Sequence, residues 1–106
     1  MITGIVVYSK DSETVWNAFR FTNYALAAGD AVKVFLIGSG VELETLASDK
    51  FNVAEQSKTF LATGGKMYAC GTCLDIHKLK PSQMFTVATL KDLYEIVNKS
   101  DKLLTF

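Results

Sequence analysis

The chain has 106 residues, 49% of them apolar, and its eleven basic side chains balance eleven acidic ones. That length supports one hydrophobic core, and the composition excludes a disordered chain. Without net charge or a lysine and arginine cluster there is no field to track a polyanion, no apolar run approaches a membrane span, and MITGIVVYSK does not read as a secretory leader. A cytoplasmic protein is therefore expected, with neither nucleic acid nor a membrane among its partners. In a reducing compartment two cysteines three residues apart point to redox, metal or sulfur chemistry more than to a structural disulfide.

Ile2 to Tyr8, ITGIVVY, is a short β-branched run without alternation, the pattern of a strand covered on both faces. SKDSE then supplies caps, with Asp11 or Ser12 able to accept from free amides of a first turn and Glu13 well placed against the helix dipole. A helix to about Ala28 follows, and Gly29 can take the left-handed conformation that ends it. Val15, Ala18, Phe19, Thr22, Ala25 and Leu26 share the face of this helix that suits packing on a sheet. Trp16, Phe21 and Tyr24 fall outside that face, so they either meet a neighbouring element of the same chain or lie in a subunit interface.

AVKVFLIG, Ala31 to Gly38, is a second buried strand, and GSGVELETLAS is a glycine-flanked turn opening a short helix. Asn52 caps a further helix with Glu55 in the capping-box position, and TGG at Thr63 to Gly65 closes it. KMYAC is the third strand and delivers Cys70 at its carboxyl end. CGTCLDIHKL reads as a helical turn or short helix stopped by Pro81, and QMFTVA is the fourth strand. Thr89 caps a last helix in which Leu90, Leu93, Tyr94 and Val97 recur at helical spacing, and KLLTF is a fifth strand. Strands alternating with helices predict a single α/β domain over residues 1–106, with a mostly parallel five-stranded sheet covered on both faces.

In such sheets ligands bind beyond the carboxyl ends of the strands. Those ends carry Ser9 and Lys10, then Gly38, Ser39 and Gly40, then Cys70, Gly71, Thr72 and Cys73, then Thr89. Which of these loops are neighbours depends on a strand order that the sequence does not give. A thiol just before a helix has free amides and the positive end of a helix dipole nearby, and both stabilise the reactive thiolate. Gly71 allows close approach of backbone to whatever the sulfur carries, and Cys73, on the same side of a helical turn, can attack a disulfide or persulfide on Cys70. GSGVELE could hold an anion on its amides, but it lacks the later glycine of the dinucleotide fingerprint, and a plain strand-to-helix turn explains it as well.

Three chemistries fit the pair, beside the bland reading of two small buried thiols. A thioredoxin-type dithiol wants its C-x-x-C after an early strand and near a cis-proline, whereas this motif follows the third strand and Pro81 is the sole proline. Zinc could take Cys70, Cys73 and His77, but a fourth ligand would have to be a carboxylate such as Asp75, a water or another subunit, and His77 reads better as a surface helix residue. A sulfur carrier requires only an activated cysteine and an accessible cleft, with no cofactor.

With these residues in view, the chain resembles the DsrE/DsrF-like family of small sulfur-relay proteins. The resemblance runs along essentially the whole length, through the opening strand, FLIGSGV, KMYACGTCLDIHKLK and TVATLKDLYEIVNKSDKLLTF. CGTCLD is most similar to the DsrE-like half of YedF-type proteins associated with selenium metabolism. The resemblance implies a three-layer α/β/α sandwich, assembly as a homotrimer or hexamer, and a carrier cysteine at the end of the third strand, which is Cys70 here; Cys73 matches a second cysteine found in some members. Many relatives continue after the cysteine helix with Arg-Gly or Gly-Leu, where this chain has Ile76, His77, Lys78 and Leu79, so no partner contact is carried over there. No TusA-like domain is expected ahead of this one, so sulfur donor and acceptor are expected to be separate proteins.

The expectation is a cytoplasmic, sulfurtransferase-like persulfide carrier in which Cys70 holds the sulfur and Cys73 assists its release or resolves it as a disulfide. Against it stands a non-enzymatic oligomeric binding or regulatory module whose C-x-x-C binds a metal or is structural, and, more weakly, a thiol oxidoreductase.

Overall fold

A computed structural model describes all residues, 1–106. Strand β1 (Ile2–Val7) is followed by helix α1 (Ser12–Ala27), strand β2 (Ala31–Leu36) and a 3-10 segment (Gly38–Thr45). Helix α2 (Val53–Ala62), strand β3 (Lys66–Cys70), the short helix α3 (Gly71–Ile76), strand β4 (Thr86–Ala88), helix α4 (Leu90–Lys99) and strand β5 (Lys102–Thr105) complete the chain. The five strands form one sheet in the order β4-β3-β2-β1-β5, and every pairing is parallel.

That order explains the layers. From β1 to β4 the chain steps across the sheet in one direction, and right-handed crossovers then keep the intervening helices on one face. Here α1 and α2 pack together over Ile5, Val7, Val34, Leu36, Met67 and Ala69, with Phe19 of α1 edge-on to Phe60 of α2 at 5.7 Å between ring centroids. Returning from β4 to β5 reverses the direction, so α4 crosses the opposite face. Its Ile96 closes a smaller core with Phe35, Cys70 and Ala88. The alternation of strand side chains separates the two cores: Ala69 points into the first and Cys70 into the second. The three-layer sandwich expected from the sequence is thus present, with its parallel sheet complete.

Capping follows the sequence at the three long helices. Asp11 accepts from the amide of Thr14, Asn52 from that of Glu55, and Thr89 forms a reciprocal box with Asp92. Two segments differ from expectation. The GSGVELET stretch winds as a 3-10 helix with a kink at Glu42, because Gly38 enters at φ +56° and Gly40 lies so close to β1 that a Cβ would stand 2.0 Å from the Val7 carbonyl oxygen. Helix α3 ends at Ile76, ahead of Pro81, because Lys78 takes a left-handed φ of 57° and turns its amide back to the Asp75 carbonyl at 3.1 Å. Of the three outward aromatics of α1, Trp16 is covered by the chain itself, with Phe51 at 5.3 Å and the Arg20 guanidinium 4.3 Å over its ring, while Phe21 and Tyr24 stay exposed.

Candidate functional site: the cysteine cleft

Cys70 is the last residue of β3 and the N-cap of α3, where its backbone is still extended. Opposite it in the register stands Ala88, the last residue of β4. Helix α3 leaves β3 toward the α1/α2 face, where Leu74 joins the larger core, and α4 leaves β4 toward the other face. Neighbouring strands whose connections part to opposite faces leave a crevice beyond their carboxyl ends, which is where open α/β sheets bind ligands. A cleft of about 470 Å³, the largest cavity of the molecule, opens there. Its walls are Ile37, the Cys70–Cys73 turn, Val87, Ala88, Thr89 and Leu90, with no charged side chain among them. The volume suits a small molecule or the tip of an inserted chain.

Both cysteines are free thiols. Cys70 is almost covered at 5% exposure, whereas Cys73 is half-buried and touches both cores. The Gly38 amide donates to the Cys73 sulfur over 3.2 Å, which ties the turn after β2 to the turn after β3. Burial pushes the Cys73 thiol above its ordinary value, the Gly38 amide pulls the other way, and contact with the Cys70 sulfur and its charge raises it further.

The residues expected at the site fall into two groups. Gly71 and Thr72 line the cleft with the cysteines, and Gly38 reaches it through its amide. Ser9, Lys10, Ser39 and Gly40 stand outside its walls. The Ser9 hydroxyl accepts from the Asp11 amide at 3.0 Å, Lys10 approaches the Glu42 carboxylate at 3.8 Å, and Gly40 packs on β1. His77, which the sequence suggested as a surface residue, is instead half-buried, with Nδ1 2.8 Å from Oε2 of Glu42. Cys70, Cys73 and His77 do not converge, and no three His, Cys, Asp or Glu side chains cluster as metal ligands. Sequence reasoning missed the walls Ile37, Val87 and Leu90, which become neighbours only through the β4-β3-β2 order, and the Glu42–His77 contact, whose partners lie 35 residues apart.

The sequence profile of the DsrE/DsrF-like family matches residues 1–106, the entire chain. The chain belongs to that family. An uncharacterized protein of Methanocaldococcus jannaschii is 32% identical over 100 residues, which span 89% of this chain and 88% of the relative. Another from Methanopyrus kandleri is 31% identical over 100 residues, spanning 89% and 83%. Among solved structures the YchN protein of E. coli superposes with a TM-score of 0.84 at 19% identity, covering 99% of this chain and 97% of its own. A protein of unknown function from Methanobacterium thermoautotrophicum gives 0.77 at 12% identity, with 97% of each chain covered. At such identities these likenesses speak for the fold. The family's fold is one associated with sulfur relay, and no helix of this chain is long and apolar enough to cross a membrane.

Proposed function

We propose that this protein is a cytoplasmic persulfide carrier in which Cys70 receives and hands on a sulfane sulfur and Cys73 serves as its helper. The observation that carries the reading is the position of Cys70, which ends β3 at the base of the one large apolar cleft with a second free thiol beside it. The Cys70 thiolate attacks the outer sulfur of a donor persulfide, the donor's S–S bond breaks, and the donor leaves as a thiolate that takes up a proton. An acceptor thiolate then attacks the outer sulfur on Cys70 and restores the Cys70 thiolate. Where Cys73 attacks Cys70 Sγ instead, the outer sulfur departs with the electron pair as hydrosulfide and a Cys70–Cys73 disulfide forms, which a dithiol reductant must reopen. An uncharged cleft suits sulfur presented by a protein thiol, in keeping with separate donor and acceptor proteins. Mass spectrometry of protein treated with inorganic polysulfide tests the proposal: one added sulfur atom is expected on the Cys70 peptide and none in Cys70→Ser. A Cys70 peptide that gains no sulfur, or a Cys70→Ser protein that is loaded as well as the parent, would refute it.

A further inference from the structure

Helix α3 meets the 3-10 segment at two points. Cys73 and His77 stand four residues apart and so share one side of the helical turn, with the His77 amide bonded back to the Cys73 carbonyl at 2.9 Å. Gly38 and Glu42, also four apart, face them: the Gly38 amide donates to the Cys73 sulfur at 3.2 Å, and Glu42 Oε2 lies 2.8 Å from His77 Nδ1. Because a carboxylate only accepts, Nδ1 carries the proton of that bond. The two contacts are rungs of one ladder.

The rungs differ in strength and consequence. Glu42 and His77 are each about three-quarters covered, so their charge-assisted bond is shielded from water, whereas Lys10, at 3.8 Å and mostly exposed, adds little to Glu42. The other rung touches a reactive atom. An amide aimed at sulfur favours the thiolate, and the thiolate is what attacks. Gly38 stands at φ +56° with no side chain of its own to pin the turn, so what holds the 3-10 segment against α3 bears on the contact.

We propose that His77 is a positioning residue: by donating to Glu42 it latches α3 to the 3-10 segment, keeps the Gly38 amide on the Cys73 sulfur, and so sets how readily Cys73 attacks sulfur held on Cys70. With the latch closed, Cys73 reaches its attacking form and Cys70 persulfide is diverted to hydrosulfide and the internal disulfide. With it open, Cys73 stays protonated and the persulfide survives for an outside acceptor. The inference rests on the helper role of Cys73, but its test reads Cys73 alone and needs no sulfur transfer.

In a Cys70→Ser background Cys73 is the only thiol, and its ionisation can be followed by thiolate absorbance and by the rate of alkylation with iodoacetamide across pH. Glu42→Ala is the decisive variant because its two effects have opposite signs: loss of a nearby negative charge alone makes a thiol more acidic, whereas loss of the latch withdraws the amide and makes it less so. The expected result is a rise of the Cys73 midpoint by about one unit and about tenfold slower alkylation at pH 8. His77→Phe is expected to do the same, and His77→Gln, which keeps an N–H donor for Glu42, to stay within about threefold of the parent. Making both positions keeps the test open should one variant fail to fold. A midpoint that falls or stays put in Glu42→Ala, or a His77→Gln protein no better than His77→Phe, overturns the proposal. Persulfide formation on Cys70 is scored separately, so failure here leaves the carrier reading standing.

Discussion

Cys73 keeps its proton longer than an ordinary thiol, and part of the reason is the other cysteine. Burial is the largest cause, but two of the influences that raise it, the contact with the Cys70 sulfur and the Cys70 charge, vanish when that sulfur is removed, while the Gly38 amide remains. Cys70→Ser should therefore shift the ionisation of Cys73 to lower pH, which titration of thiolate absorbance would show; an unchanged or higher midpoint would mean that the two sulfurs do not interact. The sign also bears on function. In the parent, release of hydrosulfide through Cys73 should quicken as pH rises toward the raised midpoint, by about tenfold per unit, since only the thiolate attacks. At this scale the sequence was informative where chemistry is local. A C-x-x-C at a strand end placed Cys70, Gly71, Thr72 and Cys73 together before any strand order was available. It was uninformative for His77, because its meaning lies in Glu42, which reaches it only after β2 and β3 have paired.

Helix α4 shows how a local capping signal shapes the site. Thr89 is both the N-cap of α4 and a wall of the cleft, and its box with Asp92 fixes the direction in which α4 leaves β4. Thr89→Ala should cost about 1 kcal/mol of stability, measurable by urea unfolding. Asp92 adds a pH signature. The Thr89 amide and hydroxyl hold its carboxyl below the ordinary value of 3.8, and Asp11 is lowered in the same way by Thr14 at the start of α1. A carboxyl lowered in the folded state stabilises it fully above the unfolded value and loses that contribution as pH falls through the lowered one. Thermal scans between pH 5 and pH 2 should accordingly show a shallower acid decline for Asp92→Asn than for the parent; parallel curves would argue that the box does not persist in solution. These caps were readable because a capping bond spans three residues of sequence. The 3-10 winding of Gly38–Thr45 was not, since it follows from the contact of Gly40 with the backbone of β1, a strand more than thirty residues earlier.

The molecule as a whole covers its two sheet faces unequally. Two packed helices bury the first, whereas the second has α4 alone, and the outer side of α4 is itself apolar: Leu90 is 63% and Tyr94 67% exposed, with Val97 one turn further on. Residues at i, i+4 and i+7 form a continuous stripe, and a stripe of that size left in water is the signature of a contact surface. From the sequence, self-association was expected through Trp16, Phe21 and Tyr24. Trp16 is occupied by Phe51 and Arg20 while Phe21 and Tyr24 remain exposed, so the α4 stripe stands beside them as a second face for self-association to be tested on. Strand β4 adds an unpaired edge of only three residues, too short to drive pairing by backbone bonds, so an association on this side would rest on the side chains of the stripe. Light scattering at micromolar concentration is expected to give a mass of several chains, in line with a trimer or hexamer, and Tyr94→Lys should lower it while the circular dichroism stays that of the parent. The stripe also begins at the site, because Leu90 is a wall of the cysteine cleft. Assembly on this face would close the cleft from one side, so the same Tyr94→Lys change should speed alkylation of Cys70. A parent that scatters as a monomer, or a Tyr94→Lys protein that keeps the parental mass, would remove α4 from the assembly and leave the cleft open to solvent in the isolated chain.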